Sequence, residues 1–417
     1  MSGVSPLKGI HMKYIVMVPD GMADYPLEEL GDRTPLESSR IPNMTFMARY
    51  GKVGLAYFIP KGMTPASDVA NLSILGYDPK KHYTGRGPLE AANMGIELAS
   101  EDVAFRCNLV TEDKGTLIDY SAGHITSKEA EFLIIELNKK LAKDNIKFYP
   151  GVSYRHLMIV KNGKHFKIDG KEVDLSKISY MPPHDIVGGK IANNLPKRRG
   201  AEFLNELVKE SKKILEKHDI NRVRVDLKEN PANMIWLWGQ GTKPSLPSFE
   251  DKYGVTGSII SAVDLVNGIG KTIGLQVIKV PGATGYYDTN YQGKADYAVA
   301  ALKKKDFVFI HVEAPDEAGH NKDIRAKIKA IENFDKFIVG TILDNFKEKS
   351  DVRMMVLPDH ATPILVGTHT SGPVPFAIYG TGIAPDSIMV FSETSAKSSR
   401  LTFPNGWKLM DYFMKIS

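Results

Sequence analysis

The sequence predicts an α/β fold: a mostly parallel sheet covered by helices, interrupted by a smaller inserted α+β domain. Three observations carry that prediction. Short apolar runs alternate with helical patterns, which is how a helix-covered parallel sheet reads. Several of those runs stop at an aspartate or glycine turn. The middle of the chain changes texture, with shorter and more polar runs. At 417 residues the chain exceeds one ordinary core, since a domain takes roughly 150 residues.

The elements follow in chain order. Residues 13–18 (KYIVMV) form the first apolar run, closed by Pro19-Asp20-Gly21. Residues 307–313 (FVFIHVE) form a second, closed by Ala314-Pro315-Asp316. Residues 352–357 (VRMMVL) form a third, closed by Pro358-Asp359-His360, and 375–379 (PFAIY) a fourth, ending at Gly380. Continuous apolar runs of this length are read as buried parallel strands. From about residue 103 to 225 the texture differs (AFRCNLV, GTLIDYSAGHI, RHLMIVK). A helix is predicted over 127–141 with Phe132, Ile135 and Leu137 near its inner face, and another over about 201–218. The parallel core is expected to resume near Ala232 (ANMIWLWG), with GQGTKPSLP as the loop after that strand and with Trp236 and Trp238 buried in it. The domain reading is therefore core over 1–102, insert over 103–228 and core again over 229–417.

Composition narrows the function. Lysine and arginine total 54 against 49 acidic residues, a net charge of +5 spread along the chain. That suits a small anionic substrate and excludes the concentrated basic stripe of a nucleic-acid tract. The run Lys197-Arg198-Arg199 reads as a solvated face. One cysteine, Cys107, excludes an internal disulfide and a cysteine zinc cluster. No apolar run approaches the roughly 18 residues of a membrane span. The opening MSGVSPLKGIHM lacks the apolar core of a secretory signal. Residues 1–11 are expected to be a loose leader or an artefact of the assigned start, and the chain reads as cytoplasmic. The oligomeric state stays open.

Three of the apolar runs place an aspartate just past their last apolar residue, and ligands gather at the carboxyl ends of strands in open α/β sheets. Asp316 and His320 stand four apart, which aims both at one point if a helical turn follows the strand. Asp359 and His360 are adjacent on a loop, His369 follows in GTHTSGP, and Asp20 completes the set. Any one of these alone could be a turn former or a hydrogen-bonded histidine; the set points to metal. Carboxylate and imidazole without thiolate favour Mn²⁺, with Mg²⁺, Co²⁺ or Zn²⁺ as alternatives, and so many donors suggest two ions. Thr64-Pro65-Ala66-Ser67-Asp68 leads into a helical pattern. Ser67 is then either a helix N-cap or a nucleophile at a phosphate-binding helix start, and spacing leaves both roles open.

These blocks, VPDGMADYPLEELGDRTPLE, TPASDVANLSILGYDP, TGRGPLEAANMGIEL, HVEAPDEAGH, LPDH and THT, resemble the cofactor-independent phosphoglycerate mutases of the archaeal type, within the alkaline phosphatase superfamily. The resemblance spans nearly all of the chain after Met12. It implies an alkaline-phosphatase-like α/β/α core and exchange of 3-phosphoglycerate with 2-phosphoglycerate, without bisphosphoglycerate or nucleotide. It puts the nucleophile on Ser67, one ion on Asp20, Ser67, Asp359 and His360, and the other on Asp316, His320 and His369. SAGHITSKEA is similar to a histidine-bearing substrate segment of the larger mutases, which makes His124 a catalytic candidate, with a plain surface position as the alternative. Some bacterial relatives with similar blocks are homoserine kinase candidates, so another phosphoryl transfer, or a metal-dependent phosphatase, is the rival reading.

The substrate contacts rest on residue chemistry. PPHDIVGG is a rigid polar loop that offers His184 as a substrate contact and Asp185 as a general base or carboxylate contact. Arg86, Arg106 and Arg155 are nominated to hold phosphate or carboxylate in bidentate fashion, against the alternative of surface ion pairs. No G-x-x-x-x-G-K-[ST] loop is present, which favours a nucleotide-free transfer.

Overall fold

The computed structural model describes residues 12–415, so the leader reading of residues 1–11 lies outside the described residues. The chain divides into two compact units, one of them Thr84–Ser245 and the other made by the described residues before and after it.

In the larger unit an eight-stranded sheet runs in the order Gln276–Val277, Gly257–Ile260, Phe307–Val312, Lys13–Pro19, Val352–Val356, Val374–Gly380, Lys52–Ala56, Thr402–Phe403. Lys13–Pro19 lies parallel between Phe307–Val312 and Val352–Val356, with Pro19 opposite Val312 and Met17 opposite Val356. Both faces of Lys13–Pro19 are covered, which explains its unbroken apolar run. Ile15 and Met17 pack with Met44, Ala298, Ile331, Phe334 and Ile342 from helices on one face. On the other, the Tyr14 ring meets Phe413 edge-on and Phe249 lies against Phe307. The expected α/β/α layering is present.

One expectation about direction fails. The apolar run 375–379 predicts a parallel strand, yet Val374–Gly380 is antiparallel to both Val352–Val356 and Lys52–Ala56. Burial on both faces produces a continuous apolar run whichever way a strand points. The reversal has a consequence for the site: the start of this strand, just after His369, lies at the same sheet edge as the ends of the parallel strands carrying Asp20, Asp316 and Asp359.

The smaller unit is α+β, wider at both ends than residues 103–228. Its sheet runs Thr116–Asp119, Val103–Asp113, Arg155–Val160, Ile146–Val152, with Met234–Thr242 also paired to Val103–Asp113. The segment ANMIWLWG, expected to restart the parallel core, therefore belongs to the smaller unit, antiparallel with Leu237 opposite Cys107. GQGTKPSLP accordingly follows a strand of that unit's sheet, not of the core. Nothing in its composition distinguishes a buried strand of one sheet from that of another; Trp236 and Trp238 are buried as expected. The helix Ser127–Leu141 stands as predicted, capped by a reciprocal Thr126–Glu129 box. Its buried stripe, however, is Ala130, Leu133, Ile134 and Leu137, while Phe132 and Ile135 are exposed. The three-four spacing of the smaller residues defines the inner face, and the larger aromatic does not. The basic run Lys197-Arg198-Arg199 is exposed.

Candidate active site

The site of the larger unit is built where three parallel strands end. After Lys13–Pro19 the chain turns at Asp20-Gly21, with Gly21 at φ +61°. A β-carbon there would meet Asp316 Oδ1 at 2.5 Å and Thr362 Oγ1 at 2.6 Å, so only glycine lets the first turn approach the others. After Phe307–Val312 a helix, Ala314–His320, opens with Pro315 in its first turn and stacks Asp316 and His320 on one face. Their contact is His320 Nε2 to Asp316 Oδ2, 3.1 Å. After Val352–Val356, Asp359 and His360 are both buried.

The structure brings all seven predicted ligand positions together. Asp20, Asp359 and His360 each present an atom within 4.8 Å of the others, as do Asp316, His360 and His369. His320 and His369 face one another through their Nε2 atoms at 2.9 Å, and His369 Nε2 is 3.4 Å from Asp316 Oδ1. His320 Nδ1 lies 3.1 Å from the Gly367 carbonyl, which fixes the ring and turns Nε2 inward.

Ser67 is the first residue of the helix Ser67–Ile74, and the N-cap is Ala66. The N-cap alternative for Ser67 is thereby removed. Its Oγ lies 3.2 Å from His360 Nε2 instead.

Electrostatics in this cluster are severe. Burial, then the Asp359, Glu313 and Asp316 carboxylates, push Asp20 well above the usual carboxylate range. Burial also acts upward on Asp316, but hydrogen bonds from His320 and His369 outweigh it and hold the group well below that range. The Asp316 hydrogen bond lifts His320 to about 9. Both Asp20 carboxylate oxygens are buried without a hydrogen-bond partner. A crowd of carboxylates and imidazoles with orphaned oxygens is a donor set that fits divalent cations.

Four contributors were missed in the sequence. Asn71 donates to Asp359 Oδ2, and Thr362 Oγ1 donates to Asp316 Oδ1. His311 Nε2 faces Asp20 Oδ2 at 3.0 Å, and Glu313 joins the same group. The signal for the last two was a histidine and a glutamate two apart in an otherwise apolar run, hence on one face of a strand.

The smaller unit gathers the nominated substrate contacts. The Arg106 and Arg86 guanidinium groups lie over the Trp238 ring at 4.4 and 5.5 Å from its centre. Arg106 is buried and also pairs with Glu90 at 3.0 Å. The His184 ring is 5.6 Å from that of Trp238 and 6.1 Å from that of Tyr120. Tyr120 in turn touches Tyr154, which contacts both His124 and Arg155. Asp185 is 3.5 Å from His184. Burial lowers the His184 pKa, Asp185 opposes this, and Arg86 and Arg106 add to it. One patch thus holds all six residues, with cations stacked on aromatic faces.

Fold and site together define a class: an α/β enzyme core with a helix-start serine among candidate metal ligands at the carboxyl edge of its sheet. Comparison with known proteins narrows it. A family model described as 2,3-bisphosphoglycerate-independent phosphoglycerate mutase matches residues 48–221. The Methanosarcina acetivorans protein of that name is 51% identical over 407 residues, covering 97% of this chain and 100% of the relative. A Geobacter sulfurreducens protein named as a probable member is 49% identical over 408 residues, with 97% and 100% covered. Among solved structures, the PH0037 protein from Pyrococcus horikoshii has a TM-score of 0.82 at 30% identity, covering 98% of this chain and 97% of that one. The cofactor-independent phosphoglycerate mutase from Thermoplasma acidophilum has a TM-score of 0.65 at 27% identity, with 97% and 99% covered. The chain belongs to the 2,3-bisphosphoglycerate-independent phosphoglycerate mutase family, and its core is the mostly parallel, helix-covered α/β sheet that the sequence predicts. Among the described residues no helix is long and apolar enough to cross a membrane.

Proposed function

We propose that this chain interconverts 3-phosphoglycerate and 2-phosphoglycerate through a phosphorylated Ser67, without bisphosphoglycerate or nucleotide. The observation that carries the reading is the Ser67 hydroxyl, at a helix start and 3.2 Å from His360 Nε2, beside buried carboxylates. Membership of the family supplies the reaction class. The substrate is a small phosphorylated acid, and we assign the reaction to the cytoplasm.

Asp20, Ser67, Asp359 and His360 would hold one divalent ion, and Asp316, His320 and His369 the other, with Mn²⁺ foremost and Mg²⁺, Co²⁺ or Zn²⁺ as alternatives. When bound, such ions lower the pKa of a ligated hydroxyl and neutralise phosphoryl oxygens. Ser67 Oγ gives up its proton and bonds to phosphorus; the bond from phosphorus to the substrate oxygen breaks, and that oxygen takes a proton. The retained glycerate then presents its other hydroxyl, which loses a proton, takes the phosphoryl group and frees Ser67. Free N–H groups at the start of Ser67–Ile74 favour the phosphoryl oxygens. Arg86, Arg106, Arg155 and His184 are assigned to the substrate's anionic groups, and His124 and Asp185 to the proton transfers.

The test supplies 3-phosphoglycerate with Mn²⁺ and no nucleotide, and follows 2-phosphoglycerate through enolase. Nucleotide-free isomerisation is expected. Release of inorganic phosphate alone would make the chain a phosphatase, and phosphohomoserine formed only from homoserine and ATP would make it a kinase.

A further inference from the structure

Trp238 lies in the strand Met234–Thr242, and packing alone does not account for what surrounds it. The Arg106 guanidinium lies over its ring at 4.4 Å from the centre and the Arg86 guanidinium at 5.5 Å, while the His184 ring meets it edge-on at 5.6 Å. The indole is fixed at its polar edge, where Nε1 donates to Oδ1 of the buried Asn108 at 3.0 Å. The backbone makes room for both arginine stems at the next residue. Gly239 stands at φ +56°, and a β-carbon there would lie 3.3 Å from Arg86 Cβ and 3.5 Å from Arg106 Cδ.

Gathering cations at one ring is unfavourable by itself. Burial and the like charges of Arg86 and Arg155 oppose the charge on Arg106, while Glu90, 3.0 Å away, supports it. An aromatic face also attracts a guanidinium, and it does so without using the N–H edge. That edge is the one a carboxylate or phosphate takes in bidentate fashion. An aliphatic side chain would fill this strand position as well, but it would hold neither guanidinium.

We propose that Trp238 is a positioning residue for substrate recognition. Its ring holds Arg86 and Arg106 in the pose that receives the anionic groups of a phosphorylated acid, and Asn108 holds the ring. Trp238 acts through these arginines, so the inference rests on their assignment to the substrate in the proposed reaction.

The experiment measures binding of 3-phosphoglycerate by calorimetry to full-length Ser67→Ala protein with Mn²⁺, a background chosen to prevent turnover. Adding Trp238→Leu should weaken binding about tenfold. Trp238→Phe, which keeps a ring face, should stay within about threefold of the starting protein. Arg106→Ala should weaken binding on its own, and Trp238→Leu added to it should cost less than about threefold more, because the two residues act as a unit. Trp238→Met takes the place of Trp238→Leu if the leucine variant lacks a cooperative thermal transition. Unchanged binding in Trp238→Leu, an equal loss with and without Arg106, or a phenylalanine variant as weak as the leucine one overturns the inference. Unchanged binding in Arg106→Ala overturns instead the assignment of the arginines to the substrate, so the two failures are distinguishable.

Discussion

Asn71 Nδ2 donates to Asp359 Oδ2 at 2.9 Å, and the same amide donates to the Ser67 carbonyl at 2.9 Å. One buried side chain thus fixes the helix bearing the proposed nucleophile to a proposed ligand carboxylate. The other oxygen, Asp359 Oδ1, accepts from the Gly21 and His360 backbone N–H groups at 3.1 and 2.8 Å. Both carboxylate oxygens are therefore held before any ion arrives, which is how outer partners orient a ligand.

Asn71→Leu should loosen that arrangement. The Asp359 oxygen loses its donor, and outer-partner losses of this kind weaken metal binding about 10–100-fold. Stability should fall by about 1–3 kcal/mol, the cost of a buried polar group left unpaired. Mn²⁺ titration of the variant checks the first figure and urea denaturation of the metal-free protein the second. Unchanged Mn²⁺ affinity would dissociate Asn71 from the site.

Ser67→Ala should separate chemistry from folding. Because Ala66 is the N-cap and Ser67 makes no capping bond, removing the hydroxyl should change stability by less than about 1 kcal/mol. Isomerisation and acid-stable phosphoprotein should both vanish. Turnover within tenfold of the parent would take Ser67 out of the mechanism.

The legible part of this molecule was the part carried by strand ends. An apolar run followed by aspartate can be read one strand at a time, and parallel packing then superimposes Asp20, Asp316 and Asp359. His369 could be nominated, but why it reaches the others could not be seen: that depends on Val374–Gly380 running antiparallel, which a doubly buried run does not encode. The helix Ser127–Leu141 is readable from its period, while its buried face follows Ala130, Leu133, Ile134 and Leu137 and leaves the larger Phe132 outside. Met234–Thr242 went to the wrong sheet because pairing partners are set by tertiary packing. Asn71 and Thr362 carry no spacing signal, since each acts through one long-range hydrogen bond.

Lys327→Met should show what holds the loops behind the site. Lys327, fully buried, donates to Asp24 Oδ2 at 2.7 Å and to the Thr362 carbonyl at 2.8 Å. Asp24 also accepts from the Ile364 N–H. Removing the ammonium strands a buried carboxylate, so stability should drop by about 3–5 kcal/mol in urea denaturation. The Asp24→Asn, Lys327→Met double variant should recover part of that loss, because no buried charge is then uncompensated. A single-variant loss below about 1 kcal/mol would mean the pair is not structural.

Glu393 should give the fold a pH dependence of its own. It is buried, accepting from the Asp24 N–H at 3.1 Å and from Thr34 Oγ1 at 2.8 Å. Burial raises its pKa from 4.5 to about 7, with the neighbouring Glu37 carboxylate pushing the same way. The folded protein therefore holds this proton more tightly than the unfolded chain. Its contribution is fully present below pH 4.5, declines as the pH rises, and is gone above about 7. The interval corresponds to about 3 kcal/mol as an order of magnitude. Glu393→Gln cannot titrate, so the parent should lose stability relative to the variant between about pH 5 and 7 and run parallel to it above that window. Urea denaturation of both proteins in chelator, which removes the pH dependence of metal binding, is the measurement. A constant difference from pH 5 to 7 would mean that Glu393 is already ionised in the fold.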